Sequence, residues 1–298
     1  MRTTQLSITL GKEAARRKCK AFVEVSTGIV YSPDRKPSTE SSPLKPWLGL
    51  ARAKLDAEAA LSRISDLNLV ILRLAHVYGE YNAGFASKFL CLARVYQEQG
   101  RELKWLWTEE LRVNGVWVGD VCRAILEAAR WRGVNVSISD SPVREEGKRR
   151  PTLLSRVSSK SAVSEEEAPL PGTPVFNIVD RGDTNQGTVA RLTSEVFGIK
   201  TGFQGSLISQ FAKLNLESVV DDLNDEILQP WADMLEQKGL RGGRLSPFLE
   251  KELLGDKDLS MDGSLFEKTT GFTYQREGIC RGDIEEMIES YRRVGWWP

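Results

Sequence analysis

Two apolar segments in the first 80 residues have the pattern of buried β-strands. The run AFVEVST at residues 21–27 is rich in β-branched and aromatic side chains, and LNLVILRLAHVYG at 67–79 is apolar without alternation. Strands with no solvent-exposed face are typical of the interior of a parallel sheet that is covered by helices on both sides. Between them, residues 48–65 have helical spacing, with apolar positions at Leu48, Leu55, Ala59 and Ile64. Strand, helix and strand in this order predict a βαβ crossover and an α/β layer fold.

Further helices and one strand are predicted in the middle of the chain. Residues 118–130 form a helical pattern for which Asp120 is the expected cap. The run PVFNIVD at 174–180 predicts a strand. In the helix that follows, Thr184 or Asn185 can serve as the cap and Gly198 as the end.

The carboxyl-terminal third is predicted to be mainly helical. Residues 206–240 and 244–255 both have helical patterns. In the last helix Asp283 is the predicted cap, with Glu286 three residues later as in a capping box and Gly295 as the stop.

Residues 139–172 differ in composition from the segments on either side. They mix Ser, Pro and blocks of both charge signs. Such a segment buries little apolar surface, so we predict a disordered insertion loop. Its stretch RRPTLLSRVSSKS is typical of a kinase target and also of an ordinary solvated loop.

Composition excludes several classes of protein. The 298 residues allow one large or two modest domains, and 41% apolar with 28% charged residues is ordinary for a globular chain. Because 41 basic residues offset 41 acidic ones, we expect neither a nucleic-acid partner nor binding to an anionic membrane. No apolar run approaches the roughly 20 residues that span a bilayer.

The cysteines and the single histidine limit the metal chemistry. Cys19, Cys91, Cys122 and Cys280 contain no C-x-x-C pair, and His76 is the only histidine. We therefore expect no metal site of the zinc type and no disulfide framework. A reducing, cytoplasmic location is the expectation, with a mitochondrial presequence in the basic, hydroxyl-rich first 20 residues as the alternative.

Four segments in a fixed order carry a family resemblance. VEVSTGIVYS at 23–32 resembles the strand-end motif V-x-S-S/T-x-x-V-Y-G, and Lys54 lies in a helix after a Pro-rich loop, like the lysine of a Tyr-x-x-x-Lys motif. ILRLAHVYG at 71–79 looks like L-R-x-x-x-V-Y-G, and LRVNGVWVGDVCRAI at 111–125 is similar to V-x-V-x-D-V-x-x-A. These are motifs of the extended short-chain dehydrogenase/reductases, the NAD-dependent epimerase/dehydratase family, and the chain is identified as resembling that family.

The resemblance implies a domain organisation, a cofactor and a substrate class. Residues 1–138 correspond to the later half of a Rossmann-like, doubly wound NAD(P)-binding domain, with 80–115 contributing to the substrate domain. The insertion at 139–172 follows, and 173–298 correspond to a mostly helical substrate domain. The implied cofactor is NAD or NADP, and the implied substrate is a small hydroxylated or carbonyl compound.

The amino-terminal end departs from the family pattern. Only 21 residues precede Phe22, whereas the family places four strand–helix units there. The Gly-rich G-x-x-G-x-x-G turn that would hold a pyrophosphate is absent from the sequence. We therefore expect an incomplete parallel sheet, doubtful cofactor binding, and a homo-oligomer or other association through an exposed sheet edge.

The implied catalytic positions are only partly kept. Leu50 stands four residues before Lys54, where the family has its acid/base tyrosine, and leucine carries no titratable proton. Thr27 matches a substrate-contacting hydroxyl, with a strand-end turn contact as the alternative. Lys54 matches the lysine that holds the nicotinamide ribose, with a solvated helix lysine as the alternative.

Three more residues are candidates of the same kind. His76 matches a position facing cofactor or substrate, with a hydrogen-bonded core histidine as the alternative. Arg112 resembles a position near the substrate, with an exposed arginine before a strand as the alternative. Tyr31 is the nearest phenol upstream of Leu50 and is the candidate substitute for the missing tyrosine, although the family uses this V-Y-G position structurally. Arg73 and Tyr78 are interpreted as structural.

Three hypotheses follow for function. The chain is an NAD(P)-dependent oxidoreductase of this family that is truncated or catalytically impaired. Alternatively, it is a non-catalytic binding or regulatory remnant of the family. A third hypothesis is an enzyme completed by a partner chain that supplies the missing part of the sheet.

Overall fold

A computed structural model describes residues 2–134, 168–241 and 243–298. The helices are α1 (Arg2–Arg16), α2 (Gly49–Ser62), α3 (Phe85–Glu98), α4 (Val118–Val134), α5 (Gln186–Phe197), α6 (Ser206–Gln237), α7 (Ser264–Thr270) and α8 (Arg281–Arg293). The strands are β1 (Phe22–Thr27), β2 (Leu69–Leu74), β3 (His76–Tyr78), β4 (Leu103–Trp105), β5 (Gly115–Trp117), β6 (Val175–Ile178) and β7 (Thr201–Phe203).

A three-stranded parallel sheet with the order β1-β2-β6 lies between two layers of helices. All six residues of β2 are buried, as its unbroken apolar pattern predicts. Alternate side chains face α2 on one side and α4 and α7 on the other. The predicted βαβ crossover through α2 and the α/β class are therefore confirmed.

The second predicted strand is in fact two strands. Residues 67–79 divide at Ala75, whose amide donates to the Ile178 carbonyl at 3.0 Å. Beyond this residue β3 leaves the sheet and pairs in parallel with β5. This divergence carries His76 away from the three-stranded sheet and toward α3.

The helical part has its own apolar core. Side chains of α3, α5, α6 and α8 form one cluster, in which the Trp297 ring lies 5.9 Å from that of Trp231 and 6.0 Å from that of Tyr291. Strand β4 pairs with β7 at its edge. No described helix is both long and apolar enough to cross a bilayer.

The predicted helix boundaries are correct in the middle of the chain and wrong near its end. Asn185 caps α5 by accepting from the Thr188 amide at 2.9 Å, and Gly198 ends it in a left-handed conformation. Residues 244–255 are not an α-helix and contain only a 3₁₀ turn at Lys251–Leu254. Pro247 within that run has no amide to donate, and it disfavours a helical residue before it.

Two predicted caps have other roles. Asp283 is the third residue of α8, and its carboxylate accepts from the amide of the true cap, Cys280, at 2.7 Å. Asp120 lies inside the first turn of α4, where it accepts backbone amides from Gln275 and Arg276 at 3.0 and 3.1 Å. Both carboxylates therefore satisfy donors other than those predicted. Residues 139–167 of the predicted disordered insertion lie outside the described residues.

Candidate functional site

The carboxyl ends of parallel strands are where α/β sheets usually bind ligands. At the end of β1, Thr27 leads directly into a 3₁₀ turn, Gly28–Val30. The Thr27 hydroxyl oxygen accepts from the Ile29 amide at 3.2 Å. This contact corresponds to the second interpretation of Thr27, a hydroxyl that hydrogen-bonds to the turn after the strand. The hydroxyl oxygen is therefore engaged by its own turn.

The turn after Thr27 is covered by the chain itself. A Cβ atom placed on Gly28 would lie 2.2 Å from the Met261 sulfur and 3.3 Å from a methyl carbon of Leu259. Both covering side chains are buried. The space in front of this strand end is therefore filled by the segment around residues 259–261.

Lys54 is tied to β1. Its Nζ donates to the Val25 carbonyl at 2.7 Å and to Glu24 Oε1 at 3.3 Å. Glu24 is buried and also accepts from the Ser7 hydroxyl at 3.1 Å. The ammonium group thus serves to join α2 to the sheet in this structure.

Leu50 is in the first turn of α2 and is 62% exposed. Its side chain has no proton to transfer, so no acid/base group stands one helical turn before Lys54. Tyr31 does not replace it. Its hydroxyl is buried, donates to Asn177 Oδ1 at 2.8 Å and accepts from Arg73 Nη1 at 2.9 Å. Burial raises the pKa of Tyr31 to about 12.

A buried polar network crosses the sheet beside these positions. Ser26, Arg73 and Asn177 are direct neighbours across β1, β2 and β6, so all three face α2. From α2, Glu58 accepts from Arg73 Nη2 at 2.6 Å and from the Ser26 hydroxyl. Burial disfavours the charged form of Arg73 and so tends to lower its pKa. The neighbouring Glu58 carboxylate outweighs this effect, and the pKa of Arg73 is raised overall. Through this pairing Arg73 joins β2 to α2, which is the kind of structural role that the sequence predicts for it.

His76 lies apart from Thr27, Leu50 and Lys54. Its ring stacks on Phe85, with the centroids 3.9 Å apart and the planes at 7°. It borders a cavity of about 50 Å³ with a mainly apolar lining that includes Phe89, Val113 and Met287. Burial lowers the pKa of His76 to about 4, so the imidazole is neutral at physiological pH.

The size of this cavity limits what it can hold. Small-molecule sites usually occupy about 300–1,000 Å³. The cavity beside His76 is several times smaller and accommodates an apolar group of a few atoms. Arg112, on the neighbouring chain segment, does not line it and instead pairs with Asp183 at 3.2 Å.

Asp180 is a titratable group that the sequence reasoning missed. It follows β6, is 6% exposed, and accepts from the Gly182 amide at 3.0 Å through Oδ1. Its Oδ2 and the Tyr78 hydroxyl are both buried and interact with each other, and neither has another hydrogen-bond partner among the described residues. Burial raises the pKa of Asp180 to about 7. The only sequence signal was its position as the last residue of a predicted strand.

The candidate residues do not converge on one reactive centre. Thr27 and Lys54 are engaged at β1, His76 borders a separate apolar cavity, and Arg112 is in an ion pair with Asp183. Among the described residues, no group of three or more His, Cys, Asp or Glu side chains is placed to hold a metal ion.

The parallel sheet between two helical layers, followed by a helical part, defines an α/β protein of the doubly wound class. The sequence model of the NAD dependent epimerase/dehydratase family matches residues 1–137. The resemblance carried by the motifs is therefore confirmed over residues 1–137.

Solved structures support the same fold. The chain is similar to the enzyme WbmG of Bordetella bronchiseptica in complex with NAD and UDP, at 15% identity and a TM-score of 0.55 over 98% of this chain and 66% of that one. For dTDP-glucose 4,6-dehydratase of Bacillus anthracis in complex with NAD, the identity is 14% and the TM-score is 0.56. This match covers 98% of this chain and 68% of that one. For the UDP-glucuronic acid 4-epimerase of Bacillus cereus, the identity is 13% and the TM-score is 0.53, and the match covers 97% of this chain and 68% of that one.

These likenesses show the fold alone. The chain spans 66% of the length of WbmG. A search of curated protein sequences gives no match.

The described residues do not fit the nicotinamide cofactor of the family. The Lys54 ammonium is bound to β1, the Thr27 hydroxyl is bound to its own turn, and position 50 carries leucine. The sequence also contains no G-x-x-G-x-x-G turn. We therefore derive no reaction step through NAD for this chain.

Proposed function

We propose that this chain is a catalytically impaired member of the epimerase/dehydratase family. The observation that carries the proposal is Leu50, one helical turn before Lys54, where the family resemblance places the tyrosine that moves the proton. General acid/base catalysis needs a group that exchanges a proton near the operating pH. Leucine cannot do so, and the Tyr31 phenol is locked in the core with a raised pKa.

The substrate class proposed for the ancestral site is a small hydroxylated or carbonyl compound. A nucleotide sugar is the specific candidate, because the relatives with this fold include a UDP-glucuronic acid 4-epimerase and a dTDP-glucose 4,6-dehydratase. In this chain the polar residues near the strand ends support packing: Thr27 closes a turn and Lys54 joins α2 to β1.

Calorimetric titration of the purified chain with NAD and NADP tests this proposal. We expect no measurable heat of binding, because helix N-termini and Gly-rich turns supply much of dinucleotide affinity. A dissociation constant on the order of 1–10 μM for either cofactor would contradict the proposal.

Restoring the phenol alone should not restore turnover. We expect no cofactor-dependent absorbance change for Leu50→Tyr with UDP-glucuronic acid, because the nicotinamide must be held before a proton donor can help. A fusion to the first half of a relative, with and without Leu50→Tyr, is the control. Full activity of the fusion that retains Leu50 would show that this residue does not occupy the catalytic position.

A non-catalytic binding protein is the second candidate. The observation that favours it is the apolar cavity beside His76 and Phe85, which needs no proton transfer to take up a ligand group. If binding is the function, a small apolar probe such as xenon should bind in this cavity, and Phe89→Trp, which fills the cavity, should weaken that binding at least tenfold. Absence of binding to the unmodified chain would rule this candidate out.

A further inference from the structure

The helical part of the molecule contains a further cavity, apart from the one beside His76. It has a volume of about 350 Å³ and lies between α3, β4 and α6, which contribute Tyr96, Trp105 and Leu223 to its walls. This volume falls within the roughly 300–1,000 Å³ that is usual for small-molecule sites. The cavity is therefore large enough to hold a complete small ligand.

A buried hydrogen-bond donor in the wall of this cavity is unused. Trp105 is 6% exposed, and its ring packs against that of Phe89 with the centroids 4.9 Å apart. Its indole Nε1 has no hydrogen-bond partner among the described residues. By contrast, Trp107 donates from its Nε1 to the Leu254 carbonyl at 2.6 Å. Because a buried donor without an acceptor is costly, the Trp105 N–H is available to an acceptor atom from outside the chain.

Most of the remaining inner wall is apolar. Its apolar side chains include Phe89, Leu92, Leu103, Val220, Leu223 and Leu249. A ligand with an apolar body would remove this surface from water, and the Trp105 N–H would fix the position of one oxygen atom. An apolar wall with one placed polar group is the usual pattern of a small-molecule site.

The charged side chains that line the cavity balance one another. Arg101 and Lys104 are positive, and Asp222 and Glu226 are negative. Arg101 is paired with Glu226, and Lys104 lies 3.5 Å from the carboxylate of Glu102. The described lining therefore has no net charge that would select an anion or a cation, which favours an uncharged ligand.

We infer that this cavity is a binding site for an uncharged, mainly apolar compound with one acceptor oxygen, which accepts a hydrogen bond from Trp105 Nε1. Neither Thr27 nor Lys54 lines the cavity, so the site is separate from the strand end described above. Binding there needs neither a cofactor nor the transfer of a proton.

Two probes that differ in one group test the inference. Acetophenone has a carbonyl group where ethylbenzene has a CH₂ group, and the two are otherwise alike. Each is titrated into the full chain, and binding is followed by the amide and indole signals in NMR spectra. We expect the indole proton of Trp105 to move further downfield with acetophenone than with ethylbenzene, because only the ketone accepts its hydrogen bond.

The variant Trp105→Phe keeps an aromatic ring and removes the donor. We expect the ratio of the acetophenone affinity to the ethylbenzene affinity to fall at least about fivefold, because only acetophenone loses a hydrogen bond. The matched control is Trp47→Phe in the core of the sheet part, which should leave this ratio unchanged. Leu223→Trp, which fills the cavity from α6, should abolish the binding of both probes.

Three results would each overturn the inference. The first is no binding of acetophenone up to its solubility limit. The second is the same affinity ratio in Trp105→Phe as in the unmodified chain, since acetophenone would then bind without the indole donor. The third is unchanged binding in Leu223→Trp, which would place the probes outside this cavity. If a variant does not fold, the shift of the Trp105 indole signal in the unmodified chain still decides the question.

Discussion

Arg73 and Arg191 each contact a glutamate at 2.6 Å, but only one of the two pairs is buried. Arg73 and Glu58 are 2% and 0% exposed, whereas Arg191 and Glu195 are 60% and 39% exposed. Water screens the exposed pair, while the buried one has lost its hydration and depends on its partner. The two pairs therefore contribute very differently to stability at the same distance.

Removing one partner of the buried pair should be strongly destabilising. We expect Glu58→Ala to lower the free energy of unfolding by about 3–5 kcal/mol, because it leaves the Arg73 guanidinium buried without its counter-charge. Glu195→Ala, the matched control, should cost less than about 1 kcal/mol. Urea denaturation measures both, and equal losses would contradict the role given to burial.

Asp180 makes stability depend on pH. Its pKa in the folded protein, about 7, lies above the ordinary value of 3.8, so the folded state holds its proton over a range in which the unfolded chain has lost it. Stability from this group is complete below about pH 4 and is lost as the pH rises to about 7. Because a tenfold change in proton affinity corresponds to about 1.4 kcal/mol, the loss is at most about 4 kcal/mol.

Asp180→Asn should remove this dependence. The amide keeps an oxygen for the Gly182 amide and carries no charge, so we expect the variant to be more stable than the unmodified chain at about pH 8 and similar to it at about pH 3.5. Thermal melts at both pH values test this. Asp225→Asn, at an exposed position, should show no such difference.

At the scale of elements, the turn after β1 and the segment at residues 259–261 form one packed unit. We expect Gly28→Ala to destabilise the fold by about 1–3 kcal/mol, because the new methyl group would overlap the Met261 sulfur. Met261→Ala in the same chain should recover part of this loss, which a double-mutant cycle measures.

The control for this prediction is another glycine without close neighbours. A Cβ on Gly49 meets nothing within 4 Å, so Gly49→Ala should be neutral or slightly stabilising. Additive effects of the changes at positions 28 and 261 would show that the two elements do not share this contact.

At the scale of the whole molecule, Asp120 joins the sheet part to the carboxyl-terminal segment. Its buried carboxylate accepts the amides of Gln275 and Arg276, 155 and 156 residues away. We expect Asp120→Ala to speed amide hydrogen exchange at both residues at least tenfold, because their donors lose a charged acceptor. Asn185→Ala removes a cap within α5 and should accelerate exchange there only.

The sequence predicts the elements better than the contacts between them. The βαβ unit, α4, β6 and α5 all follow from local apolar spacing and caps. The departure of β3 from the sheet depends on hydrogen bonds to Ile178 and to β5, which lie far along the chain. Local patterns carry no information about such partners.

The same limit applies to the candidate site. Motifs identified Thr27, Lys54 and the unusual Leu50, but not the contacts that occupy the first two side chains. From the sequence, Arg73 is interpreted only as structural, and its partner Glu58 and its neighbour Asn177 could be assigned only once the helix and strands were packed.

The covered turn at Gly28 also has an evolutionary consequence. Because Met261 fills the space beside Gly28, natural selection for stability at this strand end acts on the fit between a glycine and a buried methionine side chain. Substitutions at Leu50, which is exposed, should then accumulate freely among descendants of this gene, while changes at positions 28 and 261 survive mainly in pairs. A strand end that is covered in this way is hard to reopen, because removing the cover would first cost the fold part of its stability.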